Sequence, residues 1–195
     1  MFSSGKVVEL FYDVVSPYSW LAFEMLCRYR NVWNIDLKFK PAYLAGVIYG
    51  SDCCYNIKND ILVLLSESTS LLFSFFLLLS IAFIDTLNAM RFVTAVAEKE
   101  KEGGVKWRTH QDITQPASLT EAGLKAGLSD NVVEEIVNLS TSQPIRDKLK
   151  SVTLEALKHK CFGFPFIVCH VNGKVKVFFA SDRFELMAYF IGNYN

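Results

Sequence analysis

A serine at a predicted strand-to-helix junction is the residue of this chain best placed to do chemistry. Ser16 follows a β-rich run and precedes Pro17, so it stands where a helix begins. Unpaired backbone N–H groups and the positive end of the helix dipole meet at such a point and stabilise an anion by roughly 0.3–2 kcal/mol. A thiolate is such an anion, and the Ser16 hydroxyl can donate a hydrogen bond to its sulfur. The plainer interpretation is that Ser16 only caps the helix.

Disulfide chemistry at this junction is excluded by composition. Redox proteins carry Cys-x-x-Cys there, whereas this chain has Ser-Pro-Tyr-Ser from Ser16 to Ser19. With no Cys-x-x-Cys pair and no secretory signal, we expect free thiols in a reducing compartment. The vicinal pair Cys53-Cys54 has no nearby His or third Cys, so we expect no metal site. The five cysteines are Cys27, Cys53, Cys54, Cys161 and Cys169.

Two further motifs could complete a binding site around Ser16. Phe164-Pro165 begins a predicted strand, where a proline is either an ordinary edge residue or a cis-proline set beside the helix. In the second case Phe164 could pair its backbone groups with an extended peptide. Ser181-Asp182 precedes the last predicted helix, and an acidic cap there would suit an amino-acid head group, although alone it is only a cap.

Composition narrows the class of protein. The 195 residues are 51% hydrophobic, enough for one domain with a sizeable core or a domain with a large insertion. Lys and Arg number 20 and Asp and Glu number 20, with no basic cluster, so a nucleic-acid partner is not expected. The first residues lack the features of a cleavable signal or transit peptide, and the last three are not a peroxisomal tripeptide.

The order of predicted elements indicates an α/β fold. A continuously apolar central strand, a helix and a half-exposed strand open the chain, and an Asn172-Gly173 hairpin and a buried helix from Asp182 close it. Helices are predicted between these halves. This order is that of a thioredoxin-like fold with an all-helical insertion after the second strand: a discontinuous domain of residues 1–45 and 161–195, and an insertion of 46–160. The predicted strands cover 7–13, 35–40, 164–171 and 175–179, and the insertion helices cover 88–100, 117–126, 130–139 and 143–158.

One segment, about 49–86, differs from its surroundings. Residues 61–84 carry a single charge, Glu67, and residues 71–84 have only Ser74 and Ser80 as polar residues. The uninterrupted apolar stretch is shorter than the about 20 residues that span a membrane, so a membrane span is not the favoured interpretation. A buried helix or a translated non-coding stretch are the other interpretations.

Several segments together resemble the kappa class of glutathione transferases. They are VELFYDVVSPYSWLAFEMLCRYRNVWNI, LNAMRFVTAV, DITQPAS, FGFP, HVNGK and SDRFELMA, in register over roughly three quarters of the chain. The segment 49–86 does not match the family's polar loop, so Asn56, Lys58 and Asn59 are given no role.

The resemblance implies a function and a site. Ser16 would activate the sulfur of glutathione, a co-substrate, with no other cofactor, for attack on an electrophilic carbon or a hydroperoxide. Pro17, Tyr18, Phe164 and Pro165 would hold the peptide, and Ser181 with Asp182 the γ-glutamyl end. It also implies a homodimer in mitochondria or peroxisomes. The alternatives are a glutathione-dependent 2-hydroxychromene-2-carboxylate isomerase and a catalytically impaired variant of the family.

Overall fold

A computed structural model describes residues 5–51, 86–100 and 116–192. Four strands form one sheet in the order β2-β1-β3-β4, with β1 parallel to β2 and the other neighbours antiparallel. The strands are β1 (Lys6–Tyr12), β2 (Asp36–Pro41), β3 (Phe166–Val171) and β4 (Lys174–Phe179). The described helices are α1 (Pro17–Tyr29), α2 (Leu44–Gly50), α3 (Leu87–Glu100), α4 (Pro116–Lys125), α5 (Asp130–Ser140), α6 (Gln143–Lys158) and α7 (Phe184–Phe190).

Strand β1 is the centre of the fold because both of its faces are covered. Val8 and Leu10 point to one face, where they pack with Leu26 of α1 and Met187 of α7. Phe11 points to the other face. The nearly continuous apolar run of β1 is thus explained, since a strand covered on both sides has no solvent-facing positions.

Helix α6 belongs to two cores. Its Ile145 lies in the cluster of the helical region, with Phe92 of α3 and Ile136 of α5. Its Val152 and Ala156 pack against the sheet, in the cluster that holds Phe11. One uninterrupted helix therefore connects the helical region to the sheet, and the division of the chain at residues 45 and 160 stays a prediction.

The predicted elements are present, with four differences. The last helix was predicted to be buried, but it buries one face only, since Leu186 is 57% and Tyr189 72% exposed. The strand predicted from Phe164 begins at Phe166, and the last helix begins at Phe184 rather than at Asp182. Helix α2 was not predicted: it is seven residues long, contains two glycines and has no side-chain cap, so it lacks the usual signals. The Asn172-Gly173 hairpin is confirmed, since both residues have the positive φ, 51° and 76°, that its tight turn needs. None of the described helices is long and apolar enough to cross a membrane; segment 61–84 and Cys53-Cys54 lie outside the described residues.

A chain of ionisable side chains crosses the sheet beneath α6. Lys40 Nζ of β2 lies 3.2 Å from Glu9 Oε1 of β1 and 2.9 Å from Glu155 Oε1 of α6. His170 Nε2 of β3 lies 3.0 Å from Glu9 Oε2. Burial acts to raise the pKa of Glu9, but His170 and Lys40 outweigh burial and hold that pKa below its usual range. These contacts satisfy a carboxylate that would otherwise be costly at the edge of the core.

The carboxylate of Asp13 ties together the elements that surround Ser16. Its Oδ1 accepts a hydrogen bond from the Val15 N–H at 3.1 Å. Its Oδ2 accepts from the Leu44 N–H at 2.8 Å, at the start of α2, and from the Thr86 hydroxyl at 2.9 Å, just before α3. The side chain is fully buried, and burial raises the pKa of Asp13 to about 6 despite these hydrogen bonds.

The raised pKa predicts how Asp13→Asn alters stability with pH. Because the folded-state pKa is above the unfolded value, the contribution of Asp13 is fully present below about 4 and is lost as pH rises through about 6. The free energy of unfolding of the wild type, relative to Asp13→Asn, should therefore rise by about 2 kcal/mol between about pH 7.5 and pH 4.5. Urea unfolding of both proteins measures this, and a difference that stays constant or falls would contradict it.

Glu9→Gln should show the opposite trend. Because the folded-state pKa of Glu9 is lowered, its contribution is present above the ordinary value of 4.5 and is lost as pH falls through the folded value. Near neutral pH we expect Glu9→Gln to cost about 1–3 kcal/mol. The same urea series measures it, with Asp13→Asn as the internal comparison, and a cost that grows on acidification would be the contrary result.

Candidate functional site

Ser16 caps α1, as its position before Pro17 predicts. Its backbone is extended, with φ −83° and ψ 112°, and its Oγ accepts a hydrogen bond from the Ser19 N–H at 3.2 Å. The preceding turn is closed by the Ser16 N–H, which donates to the Asp13 carbonyl at 3.1 Å. The hydroxyl is therefore held at the positive end of the helix by backbone groups on both sides.

The Ser16 hydroxyl also contacts the other end of the chain. Its Oγ donates to the carbonyl oxygen of Phe164 at 3.3 Å, across 148 residues of sequence. Hydroxyl-to-carbonyl hydrogen bonds are usually about 2.5–3.0 Å long, so this one is weak. Ser16 is buried, with only 6% of the residue exposed.

The Phe164–Pro165 peptide bond is cis, which is one of the two alternatives that the sequence leaves open. Pairing of β3 with β1, which sets Phe166 opposite Phe11, brings this segment to the end of β1 where α1 begins. The Pro165 carbonyl accepts from the Ala180 N–H at 3.1 Å. Two consecutive carbonyls before β3 thus contact the start of α1 and the segment that follows β4.

That contact brings Ser181 and Asp182 toward the site, one and two residues beyond Ala180. The expectation that Asp182 caps the last helix is wrong: Arg183 occupies the cap position of α7, without a side-chain cap hydrogen bond. Asp182 is exposed instead, with its Oδ1 3.8 Å from the Nε of Arg183. A helix that starts two residues later than predicted therefore leaves the Asp182 carboxylate free of any capping role.

Arg183 is the residue of this region that the sequence reasoning missed. Its exposed guanidinium lies beside Asp182, so the loop presents one negative and one positive group side by side. An amino-acid head group carries the same two charges. The signal was present in the sequence as the dipeptide Asp182-Arg183, but the interpretation of Asp182 as a helix cap gave Arg183 no role.

Pro17 and Tyr18 form the first turn of α1 and are both exposed, Tyr18 at 45%. The structure therefore joins Ser16 to the Phe164 carbonyl and keeps Pro17 and Tyr18 at the surface in the first turn of α1. The Pro165 carbonyl is joined to Ala180, the residue before Ser181 and Asp182.

The cysteines of the described part do not supply a nucleophile here. Burial raises the pKa of Cys161 and of Cys169 to about 12 each. Cys161 donates from its Sγ to the Gly163 carbonyl at 3.2 Å. Cys27 is exposed, and burial of its sulfur together with Glu24 raises its pKa above the ordinary value. All three are free thiols, and the described residues hold no group of three or more potential metal ligands.

Comparison with known families agrees with this fold. Residues 7–192 match the model of the DSBA-like thioredoxin domain. Two solved structures superpose with TM-scores of 0.60 each: 2-hydroxychromene-2-carboxylate isomerase, at 16% identity over 95% of this chain and 94% of that one, and a probable DsbA oxidoreductase from Streptomyces coelicolor, at 11% identity over 95% and 88%. At these identities the likeness shows the fold.

Two relatives found by sequence have a higher identity to this chain than the superposed structures. Glutathione S-transferase kappa 1 of Rattus norvegicus is 38% identical over 96% of this chain and 91% of the rat protein. The human protein of the same name is 36% identical over 96% and 91%. A DsbA-like thioredoxin domain and this identity along nearly the whole length show that the chain belongs to the kappa class of glutathione S-transferases.

Proposed function

We propose that this transferase activates the sulfur of glutathione at Ser16 for attack on electrophiles. The observation that carries the proposal is the contact of the Ser16 hydroxyl, at the start of α1, with the carbonyl of Phe164 in the cis Phe164–Pro165 segment. This contact supports a site in which a hydroxyl at a helix N-terminus lies beside a backbone carbonyl that a bound peptide could use.

The chemical task of the site is to ionise a thiol. A free thiol with a pKa of about 8.5 is only a few per cent ionised near neutral pH, and lowering this pKa by two units requires about 2.7 kcal/mol. The N-terminus of α1 and a hydrogen bond from Ser16 both favour the anion.

The weak bond to Phe164 suits this task because it can be exchanged. As glutathione binds, the N–H of its cysteine would donate to the Phe164 carbonyl in place of the Ser16 hydroxyl. The hydroxyl would then turn to the sulfur. No buried polar group would lose its partner in the exchange. Binding of glutathione would therefore not leave the Phe164 carbonyl without a hydrogen bond, which would cost free energy.

The reaction itself needs little from the protein beyond position and charge. The thiolate sulfur forms a bond to an electrophilic carbon, and the leaving group departs with the bonding pair, while the thiol proton has passed to solvent. With an organic hydroperoxide the sulfur attacks the outer oxygen, the alkoxide leaves as an alcohol, and a second glutathione yields the disulfide and water. A thiolate held in line with its target supplies most of the rate.

The γ-glutamyl end of glutathione is proposed to lie at Ser181 and Asp182. Asp182 would pair with its ammonium, while Arg183 is available to its carboxylate. Pro17 and Tyr18 would line the peptide at the surface. A homodimer and a mitochondrial or peroxisomal location rest on the family resemblance and stay predictions.

Ser16→Ala tests the proposal directly. Loss of the hydroxyl should raise the pKa of the bound thiol by about one unit or more and lower kcat/KM for a chlorodinitrobenzene substrate about 10- to 100-fold. The thiolate absorbance of bound glutathione, titrated with pH, measures the first and initial rates the second. Ser129→Ala, which alters the capping residue of α5, is the matched control. Equal activity of wild type and Ser16→Ala would refute catalysis at Ser16.

Two other results would select the alternatives. Conversion of 2-hydroxychromene-2-carboxylate without conjugating activity would favour the isomerase. Absence of glutathione binding by calorimetry would favour an impaired variant.

Asp182→Asn should affect binding rather than ionisation. Loss of the carboxylate removes an exposed charge pairing, so KM for glutathione should rise about 3- to 10-fold while kcat and the pKa of the bound thiol stay unchanged. Asp130→Asn, an exposed acidic residue at the start of α5, is the control. A change in the thiol pKa would argue against a separate γ-glutamyl subsite.

A further inference from the structure

Ser19 carries a buried hydroxyl that has no hydrogen-bond partner within the described ranges. The residue is 3% exposed and lies one turn into α1, directly beside Ser16. A buried hydroxyl without a partner costs about 1–3 kcal/mol, so an alanine at this position would be the more stable choice. A cost of this kind beside a functional site suggests that the partner is acquired during function.

The helix geometry limits which group that partner can be. Side chains on a helix tilt toward its N-terminus, and a side chain at the third position commonly reaches back to the capping residue. The usual target there is the backbone N–H of the cap, but the Ser16 N–H already donates to the Asp13 carbonyl. The Ser16 Oγ is the polar atom of the cap that still has capacity.

The hydrogen and lone pairs of the Ser16 hydroxyl can be matched to their partners one by one. A hydroxyl has one hydrogen to donate and two lone pairs. Ser16 uses the hydrogen on Phe164 and one lone pair on the Ser19 N–H. One lone pair is left, and it becomes a stronger acceptor once the Ser16 hydrogen points to a negative sulfur, because hydrogen bonds in a chain polarise one another.

We propose that the Ser19 hydroxyl donates to Ser16 Oγ when glutathione is bound, and so holds the Ser16 hydrogen on the thiolate. The inference rests on the proposed function of Ser16. Ser19 is then a positioning residue, since it acts on the sulfur only through Ser16. In the bound state every polar atom of the pair has a partner.

The test compares Ser19→Ala with Ser16→Ala and the double variant, using the pH titration of the thiolate absorbance of bound glutathione. Ser19→Ala should raise the pKa of the bound thiol by about half a unit to one unit, leave KM for glutathione within about twofold, and keep or raise the melting temperature. In the Ser16→Ala background the same change should have no further effect on the thiol pKa.

Each result decides one question. An equal shift from Ser19→Ala with and without Ser16 would overturn the proposal, because Ser19 would then not act through Ser16. A lowered melting temperature with an unshifted pKa would overturn it in favour of a structural hydroxyl. If Ser16→Ala itself leaves the pKa of the bound thiol unchanged, the proposed function fails as well. If Ser16→Ala shifts that pKa and Ser19→Ala does not, only the role of Ser19 is overturned.

Discussion

The structure of the site depends on the pairing of β1 with β3. This antiparallel pairing joins residues from the two ends of the chain, with Leu10 opposite Ile167 and Phe11 opposite Phe166. It is the reason that Phe164, two residues before β3, meets Ser16, four residues after β1. A shift of the strands by one residue would turn the buried faces outward, so the core of the sheet fixes the position of the hydroxyl.

Polar groups around this pairing are satisfied by hydrogen bonds between residues far apart in the sequence. Asp13 joins the turn before α1 to the starts of α2 and α3, and the carbonyls of Phe164 and Pro165 each accept a hydrogen bond. Ser19 is the exception next to the site. Hydrogen bonds thus fix the backbone of this segment, while the Ser19 hydroxyl is without a partner in the described structure.

The sequence predicted the fold and the helix start at Ser16 because their signals are local. The apolar run of β1, the Ser16-Pro17 helix start and the Asn172-Gly173 turn each specify a conformation from neighbouring residues. Phe164–Pro165 left two conformations open, and the structure has the cis form.

What sequence reasoning missed depends on distant contacts. Helix α2 is short and weak in propensity, and it starts where Asp13, 31 residues away, accepts its first N–H. The partners of Asp13 and the unpaired state of Ser19 are decided by burial, which no local pattern records. Helix α7 starts two residues later than predicted, which leaves Asp182 as an exposed carboxylate rather than a cap.

Helix α6 packs in both the helical core and the sheet core, and this packing has a mechanical consequence. A helix of 16 residues with one end in the helical core and the other in the sheet core acts as a stiff strut between them. Hinged opening of the helical region away from the sheet would have to bend or break this strut, which costs several backbone hydrogen bonds. Loss of either core should therefore propagate through α6 to the other.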